Sequence, residues 1–348
     1  MLFNTDKERI VIEIGSGWTK VLVGSSLGKK QKKGLFNENI SVKDTFLFKT
    51  PLADIFETDI MRDSEQPYTP IFNEYELIEK IREKFFEKKI KANEVIITLS
   101  DRSVVSREMI LPKVEEDKLK DIIRYELQEL LPIDQKKYVI DFKVIEEVKV
   151  SGVDKYKLIV SALPKDEGKF YHGFIDELGK DPYALDIASN SISKLFDRNM
   201  KINSKDRDVL NLTYAYVDIG YSNIKLHIIE KGILKFTRNI EGGVKSIMAV
   251  DGVKIIESEE SIELVKKWIG SLEQMFKFFT SRETNRQIDH IFLFGGGALI
   301  PNIEEYFSKI IGVSTETIEQ IENLDFHKDC SYFSLPLFLN TVASLIRR

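Results

Sequence analysis

The sequence predicts an α/β protein made of two related halves, with a small α/β subdomain inserted in the first. Three observations predict it. One pattern occurs twice at a constant offset of 205 residues: Ile12-Glu13-Ile14-Gly15-Ser16-Gly17-Trp18-Thr19-Lys20-Val21, and Val217-Asp218-Ile219-Gly220-Tyr221-Ser222-Asn223-Ile224-Lys225-Leu226. Each copy is an apolar run, an acid, a glycine turn and a second apolar run, the pattern of a β-hairpin with an acid at its tight end. A strand–helix–strand–strand run fills 101–163. A third glycine turn, Gly295-Gly296-Gly297, follows the strand-like run Ile288 to Phe294.

The elements follow in order. Residues 9–14 and 19–25 read as strands around the first glycine turn, and 40–48 as a third. Pro51, Pro67 and Pro70 make 49–70 irregular. Leu77, Ile78, Ile81, Phe85 and Ile90 recur near helical spacing in 73–90. Glu94 to Leu99 is a strand. Arg102 to Leu111 reads as a strand ended by Pro112. An amphipathic helix over 115–131 is stopped by Pro132, and strands at 138–150 and 156–163 flank a turn at Gly152. Helices fit 166–179 and 186–197. The polar stretch 199–208 reads as a bridge between the halves. The second half opens with strands at 213–219, 224–230 and 232–239. A short helix follows Gly242-Gly243. A long one, 259–281, starts near Ser258 with Glu259, Glu260 and Glu263 in its first turns, as the helix dipole favours. Pro301 suits the first turn of a helix over 301–311. The last helix is 337–347.

The totals narrow the function. At 348 residues the chain has room for two domains. A net charge of −5 gives no reason to expect nucleic-acid binding, and the run Lys29-Lys30-Gln31-Lys32-Lys33 reads as a solvated loop. One cysteine, Cys330, excludes an internal disulfide and fits a reducing compartment. Four histidines with one cysteine argue against a zinc site. Met1 to Arg9 has no apolar signal core, and Phe333 to Ile346 is interrupted by Ser334, Pro336, Asn340 and Ser344. The expectation is a cytoplasmic protein without direct membrane insertion.

The glycine turns suggest the chemistry. Small residues let a backbone approach phosphate and offer it free N–H groups. Gly15, Ser16 and Gly17 fit that role; so do Gly220 and Ser222, with Tyr221 as a bulkier member. Lys20 and Lys225 lie near the turns as candidates for an anion. Glu13 and Asp218 are candidates to hold a hydrated Mg²⁺. Bare backbone at 295–297 offers a place for a base and ribose. The bland alternative is that each acid merely caps a hairpin turn, and that Trp18 packs on its own domain.

The array resembles the actin, Hsp70 and sugar-kinase superfamily. In that resemblance Glu13 to Lys20 is similar to the first phosphate loop, Asp218 to Asn223 to the second, and Leu293 to Ala298 to the adenosine motif. Three further stretches make the chain resemble the PilM family of type IV pilus assembly proteins, relatives of the division protein FtsA. They are Arg107 to Pro112 with Ile123 to Pro132 and Tyr138 to Phe142, then Phe236 to Gly243, then Leu293 to Tyr306. The resemblance implies an actin-like ATPase fold with two RNase H-like halves and a 1C-type subdomain. It implies a first half at 8–100, continued by 164–205 and 330–348, a 1C-type insertion at 101–163, and a second half at 206–329. It implies ATP and Mg²⁺ as cofactors. Gly15, Ser16, Gly17, Lys20, Gly220, Tyr221, Ser222, Gly242, Gly243, Gly295, Gly296, Gly297 and Ala298 would contact the nucleotide, and Glu13 and Asp218 the metal.

The implied partner is the cytoplasmic N-terminal peptide of a PilN-like inner-membrane protein, which would hold this chain at the inner face of the membrane. Pilus assembly ATPases and self-association are further partners the resemblance allows. The first loop carries Glu13 where the family usually has Asp, and Tyr221 is larger than usual, so slow or absent hydrolysis is expected. Three alternatives differ in what they require. A sugar or carboxylate kinase needs a carboxylate base in a motif, and none stands out. An FtsA-like filament protein is expected to carry a C-terminal amphipathic helix after a linker, and a type II secretion protein to run on into a membrane span. The sequence reads to Arg347-Arg348 with neither.

Overall fold

A computed structural model describes residues 7–30, 36–52, 72–100, 104–130, 134–251, 258–328, 330 and 333–347. In chain order the elements are β1 (Arg9–Ile14), β2 (Trp18–Lys30), β3 (Phe36–Lys49), α1 (Glu74–Glu87), β4 (Glu94–Leu99), β5 (Val105–Pro112), α2 (Glu116–Leu130), β6 (Tyr138–Val150), β7 (Val153–Pro164), α3 (Lys165–Glu177), β8 (Asp181–Ile187) and α4 (Ala188–Leu195). They continue with β9 (Met200–Ile202), β10 (Lys205–Arg207), β11 (Thr213–Ile219), β12 (Asn223–Glu230), β13 (Ile233–Glu241), α5 (Val244–Asp251), α6 (Glu259–Thr280), β14 (His290–Phe294), α7 (Ile303–Ile311), β15 (Thr315–Thr317), β16 (Leu324–Phe326) and α8 (Leu335–Ser344). Two compact units contain them: Met1–Asp54, Ile71–Leu99 and Lys180–Arg348 form one, Ile55–Pro70 and Ser100–Gly179 the other.

The first unit holds two sheets of matching topology. One runs β16-β3-β2-β1-β4-β8 and the other β13-β12-β11-β14-β15. In each, three antiparallel strands are followed by two parallel ones: β3-β2-β1 with β4 and β8, and β13-β12-β11 with β14 and β15. The duplicated motif is therefore the hairpin at the centre of each sheet. The near-continuous apolar runs Ile10–Ile12 and Val95–Ile97 are buried on both faces, as central strands of a partly parallel sheet must be.

Strand alternation distributes the core. Tyr214 and Tyr216 of β11, with Phe292 and Phe294 of β14, join one cluster with Ile192 of α4 and Phe338 and Val342 of α8. Ala215, Val217 and Ile219 face the other way, into a cluster with Val265, Trp268 and Phe276 of α6 and Phe307 of α7. The α6 start follows local chemistry: the Ser258 hydroxyl accepts from the Ser261 N–H at 3.1 Å, and Glu259 and Glu260 sit in the first turn. Helix α8 begins with Pro336 in its first turn, is buried nearly all round, and packs on β1, β2, β4 and β14.

The second unit is an antiparallel sheet, β5-β7-β6, separate from the main sheets. Ser151 and Gly152, at φ 51° and 79°, make the two-residue turn between β6 and β7. Helix α2 lays Leu119, Ile123 and Leu127 on Met109, Leu111, Leu158 and Val160.

Several short elements depart from the sequence reading. Residues 181–187 are a parallel strand, β8, so the helix expected from 186 starts at Ala188. The polar stretch 199–208 is a small hairpin, β9-β10, turned by Asn203 and Ser204 at φ 53° and 62°. The strands β15 and β16 have three residues each and were not anticipated. Most of the irregular stretch 49–70, and 31–35 within and after the basic run, lie outside the described residues. Among the described residues no helix is long and apolar enough to cross a membrane.

Candidate functional site

The two central hairpins repeat one another in detail. Glu13 pairs with Lys20 across the first and Asp218 with Lys225 across the second. In both, the turn glycine donates back to the opposite strand: Gly15 N–H to Trp18 O at 3.1 Å, Gly220 N–H to Asn223 O at 3.0 Å. The cross-strand register thus places each lysine beside the acid of its own copy.

The acids converge, together with a residue that the motifs do not contain. The amide nitrogen of Asn340, on α8, donates to Glu13 Oε1 at 3.0 Å and to Asp218 Oδ2 at 3.1 Å. Lys20 Nζ donates to Glu13 Oε2 at 3.0 Å, and Lys225 Nζ lies 3.9 Å from Asp218 Oδ2. Burial opposes the charge on Lys20, but the Glu13 and Asp218 carboxylates and the Glu13 hydrogen bond together raise its pKa above the ordinary lysine value. Two carboxylates, two ammonium groups and one amide therefore form a compact, largely buried polar cluster.

The loops also meet directly. The Ser16 and Ser222 hydroxyls are 2.6 Å apart, and the Tyr221 ring covers Gly17 so closely that a Cβ there would collide with it. Thr50 ties the first loop from behind, donating to Gly15 O at 2.7 Å, while its N–H donates to Gly17 O at 3.0 Å.

The third glycine turn closes on the second hairpin. Gly295, at φ 84°, packs against Asp218, and a Cβ there would meet Asp218 Oδ1 and, at 2.7 Å, Ile219 O. Only glycine tolerates both the conformation and the contact. Gly243 approaches Gly220 O and Tyr221 O, which the Val244 and Lys245 N–H groups also engage at 3.0 and 2.8 Å. Gly296 differs: an added Cβ would meet only Leu337, at an ordinary 4.0 Å.

The structure brings together Glu13, Gly15, Ser16, Gly17, Lys20, Asp218, Gly220, Tyr221, Ser222, Gly243 and Gly295. Gly242 instead packs on the Trp268 indole, Gly297 on the Ile219 side chain, and Ala298 is buried in the α6–α7 core. Asn340 was missed. Its sequence signal is an amide in the middle of the apolar run Leu335–Ala343, where no helix face is left for solvent. Among the described residues no three His, Cys, Asp or Glu side chains converge as a metal cage.

A family model described as type IV pilus assembly protein PilM matches residues 44–255, well over half of the chain. Among curated proteins no match is found. Among solved structures, the chain is similar to one described as the PilM-PilN type IV pilus biogenesis complex. The TM-score is 0.74 at 15% identity, covering 98% of this chain and 98% of that one. The ethanolamine utilization protein EutJ from Carboxydothermus hydrogenoformans aligns with TM-score 0.47 at 11% identity, over 97% of this chain and 89% of that one. The cytoplasmic domain of EpsL, an inner-membrane component of the type II secretion system of Vibrio cholerae, aligns with TM-score 0.44 at 7% identity, over 97% and 93%. The fold is that of the actin-like ATPases.

Proposed function

The chain belongs to the PilM family of type IV pilus assembly proteins, and we propose on that basis that it is a cytoplasmic ATP-binding scaffold of the pilus machinery that captures the N-terminal tail of a PilN-like membrane protein. The family match over 44–255 carries this reading. The solved relative described as a PilM-PilN complex supports the choice of partner. The domain division that goes with it is a first half at 8–100, 164–205 and 330–348, an insertion at 101–163 and a second half at 206–329.

The residues fit a magnesium nucleotide. Glu13 and Asp218 face each other across the two hairpins, with lysines beside both. Asn340 adds a buried amide oxygen that has no hydrogen-bond partner among the described residues. Gly296 leaves open backbone next to the packed Gly295. Glu13 and Asp218 would hold Mg²⁺ through its waters; bound there, the ion would neutralise phosphate charge. Within the loops at 15–17 and 220–222, phosphate oxygens would be met by backbone N–H groups beyond Gly15 and Gly220, whose own N–H groups close their hairpins. Both acids are already hydrogen-bonded or ion-paired within the protein, and among the described residues no third carboxylate clusters with them to orient a water, which supports slow or absent hydrolysis.

The second unit supplies features suited to a peptide. Strand β6 is an edge of its sheet among the described residues, available for main-chain pairing with an extended segment. Beside it an open groove of about 600 Å³ includes Val114, Leu119, Phe142, Val144 and Tyr156 in its lining. Co-purification of the chain with a PilN-like protein tests the reading. Retention that depends on the partner's cytoplasmic tail supports it, and indifference to the tail contradicts it.

A further inference from the structure

Asn340 uses only half of its hydrogen-bonding capacity. The residue is 2% exposed. The amide nitrogen spends its two hydrogens on two carboxylates, Glu13 at 3.0 Å and Asp218 at 3.1 Å. The amide oxygen is buried and has no hydrogen-bond partner among the described residues. A buried acceptor left unmade is costly and calls for a reason. Neutral asparagine is the one component of the cluster able to serve as donor or acceptor, because half a turn of its amide exchanges nitrogen for oxygen.

That exchange matters because of what surrounds it. With the nitrogen inward, the amide bridges two carboxylates that would otherwise face each other with only lysines between them. With the oxygen inward, the same place presents three oxygen-bearing groups, the ligand type that hard divalent cations and their waters prefer. Lys20 and Lys225 supply the positive charge in the first arrangement. We propose that Asn340 is the third cation-facing group of this site, a donor bridge between Glu13 and Asp218 without a divalent cation and an acceptor toward the cation's shell with one. The proposal rests on the reading that Mg·ATP binds at these hairpins.

Because α8 packs on strands of both sheets, the state of this amide is held by the same helix that spans the two halves. The Asn340 backbone carbonyl accepts from the Ser344 hydroxyl at 2.9 Å, and that hydroxyl lies 2.8 Å from both Ser191 on α4 and Thr98 on β4. Side chains that can fill only one role should therefore separate the two states. Alanine can fill neither; aspartate can only accept.

The test is ATP titration of the full chain with and without Mg²⁺, for the native protein, Asn340→Ala and Asn340→Asp. In the native protein Mg²⁺ is expected to tighten ATP binding at least ~10-fold, and in Asn340→Ala that gain should fall to ~2-fold or less. Asn340→Asp should gain more thermal stability from Mg²⁺ alone than the native protein does, since a third carboxylate is relieved by the cation. A native protein whose ATP affinity ignores Mg²⁺ overturns the functional reading, and this proposal with it. A native Mg²⁺ gain that persists undiminished in Asn340→Ala overturns the proposal and leaves the functional reading standing. Should the variants fail to fold, crystals of the native chain with Mn²⁺ and ADP decide by anomalous scattering. Manganese within one water of Asn340 Oδ1 supports the assignment, and manganese farther than ~6 Å from it overturns it.

Discussion

Ser16 and Ser222, separated by more than two hundred positions, place their hydroxyls 2.6 Å apart. The contact joins the tips of the two duplicated hairpins, and Tyr221 over Gly17 reinforces it. The loops that would donate to phosphate are thus in mutual contact, with the acids and Asn340 behind them. A nucleotide would have to replace these contacts with its own, so affinity depends on what the phosphate and metal return at the same positions.

The first prediction concerns the metal-side acid. Asp218→Ala should weaken Mg·ATP binding at least ~10-fold while changing metal-free adenosine binding little. Calorimetric titration of both ligands checks it. Equal loss of both would argue that Asp218 shapes the pocket rather than facing the metal.

Turnover should respond to the other acid. The native chain is expected to hydrolyse ATP far more slowly than the roughly 1–100 s⁻¹ of kinases. Glu13→Asp, which shortens the side chain that Lys20 and Asn340 now hold, should raise the rate. A native rate in the kinase range would contradict the scaffold reading.

Adjacent glycines should behave oppositely. Gly295→Ala forces a side chain into a left-handed backbone beside Asp218 and Ile219, and should cost about 1–3 kcal/mol of stability. Gly296→Ala meets only Leu337 and should change stability by less than about 0.5 kcal/mol, yet weaken nucleotide binding if adenosine packs there. Denaturant melts with ATP titrations separate the two effects.

Acid should destabilise the protein in two stages. Burial and the nearby Arg207 charge lower His290 to about 4, against the pull of Glu316 at 3.8 Å. Burial would raise Glu316, but hydrogen bonds from Lys205 and Arg207 win and hold it at about 2. Both groups bind fewer protons when folded than when unfolded. The stability tied to His290 is present above about pH 6.5 and is lost as pH falls toward 4, and that tied to Glu316 is lost from about 4.5 toward 2. Each of the two losses is on the order of 3 kcal/mol. Urea melts from pH 7 to 4 should show the first stage in the native protein and a flatter profile in His290→Phe. An identical slope in both would assign the loss to other groups.

Much of this was legible in the sequence, and the reason is local. The duplicated acid-glycine-lysine pattern fixes its own hairpin register, because the glycine turn sets which residue faces which. Ser258 and its following acids marked the start of α6 correctly. What escaped depends on distant partners. Strand β8 is short, with polar Asp181 and Asp186 in it, and is a strand only because β4 offers a parallel edge. The β9-β10 turn, Asn203-Ser204, lacks the glycine that usually announces such turns, and the Asn203 side chain instead bonds the 317–320 segment. Asn340 looks like one polar residue in an apolar helix; its role appears only where the two hairpins converge. The glycines were seen as ligand contacts, yet Gly242 and Gly297 also make room for Trp268 and Ile219.

The most direct measurement is calorimetric titration of a synthetic peptide, the cytoplasmic tail of a PilN-like protein, into the full chain and into a variant lacking 102–162 with a short linker. The full chain should bind with a stoichiometry of one peptide per chain. The deletion should lose peptide binding while Mg·ATP binding stays measurable. Unchanged peptide affinity in the deletion would move the peptide site away from the inserted unit. No binding by the intact chain would contradict the partner assigned to it.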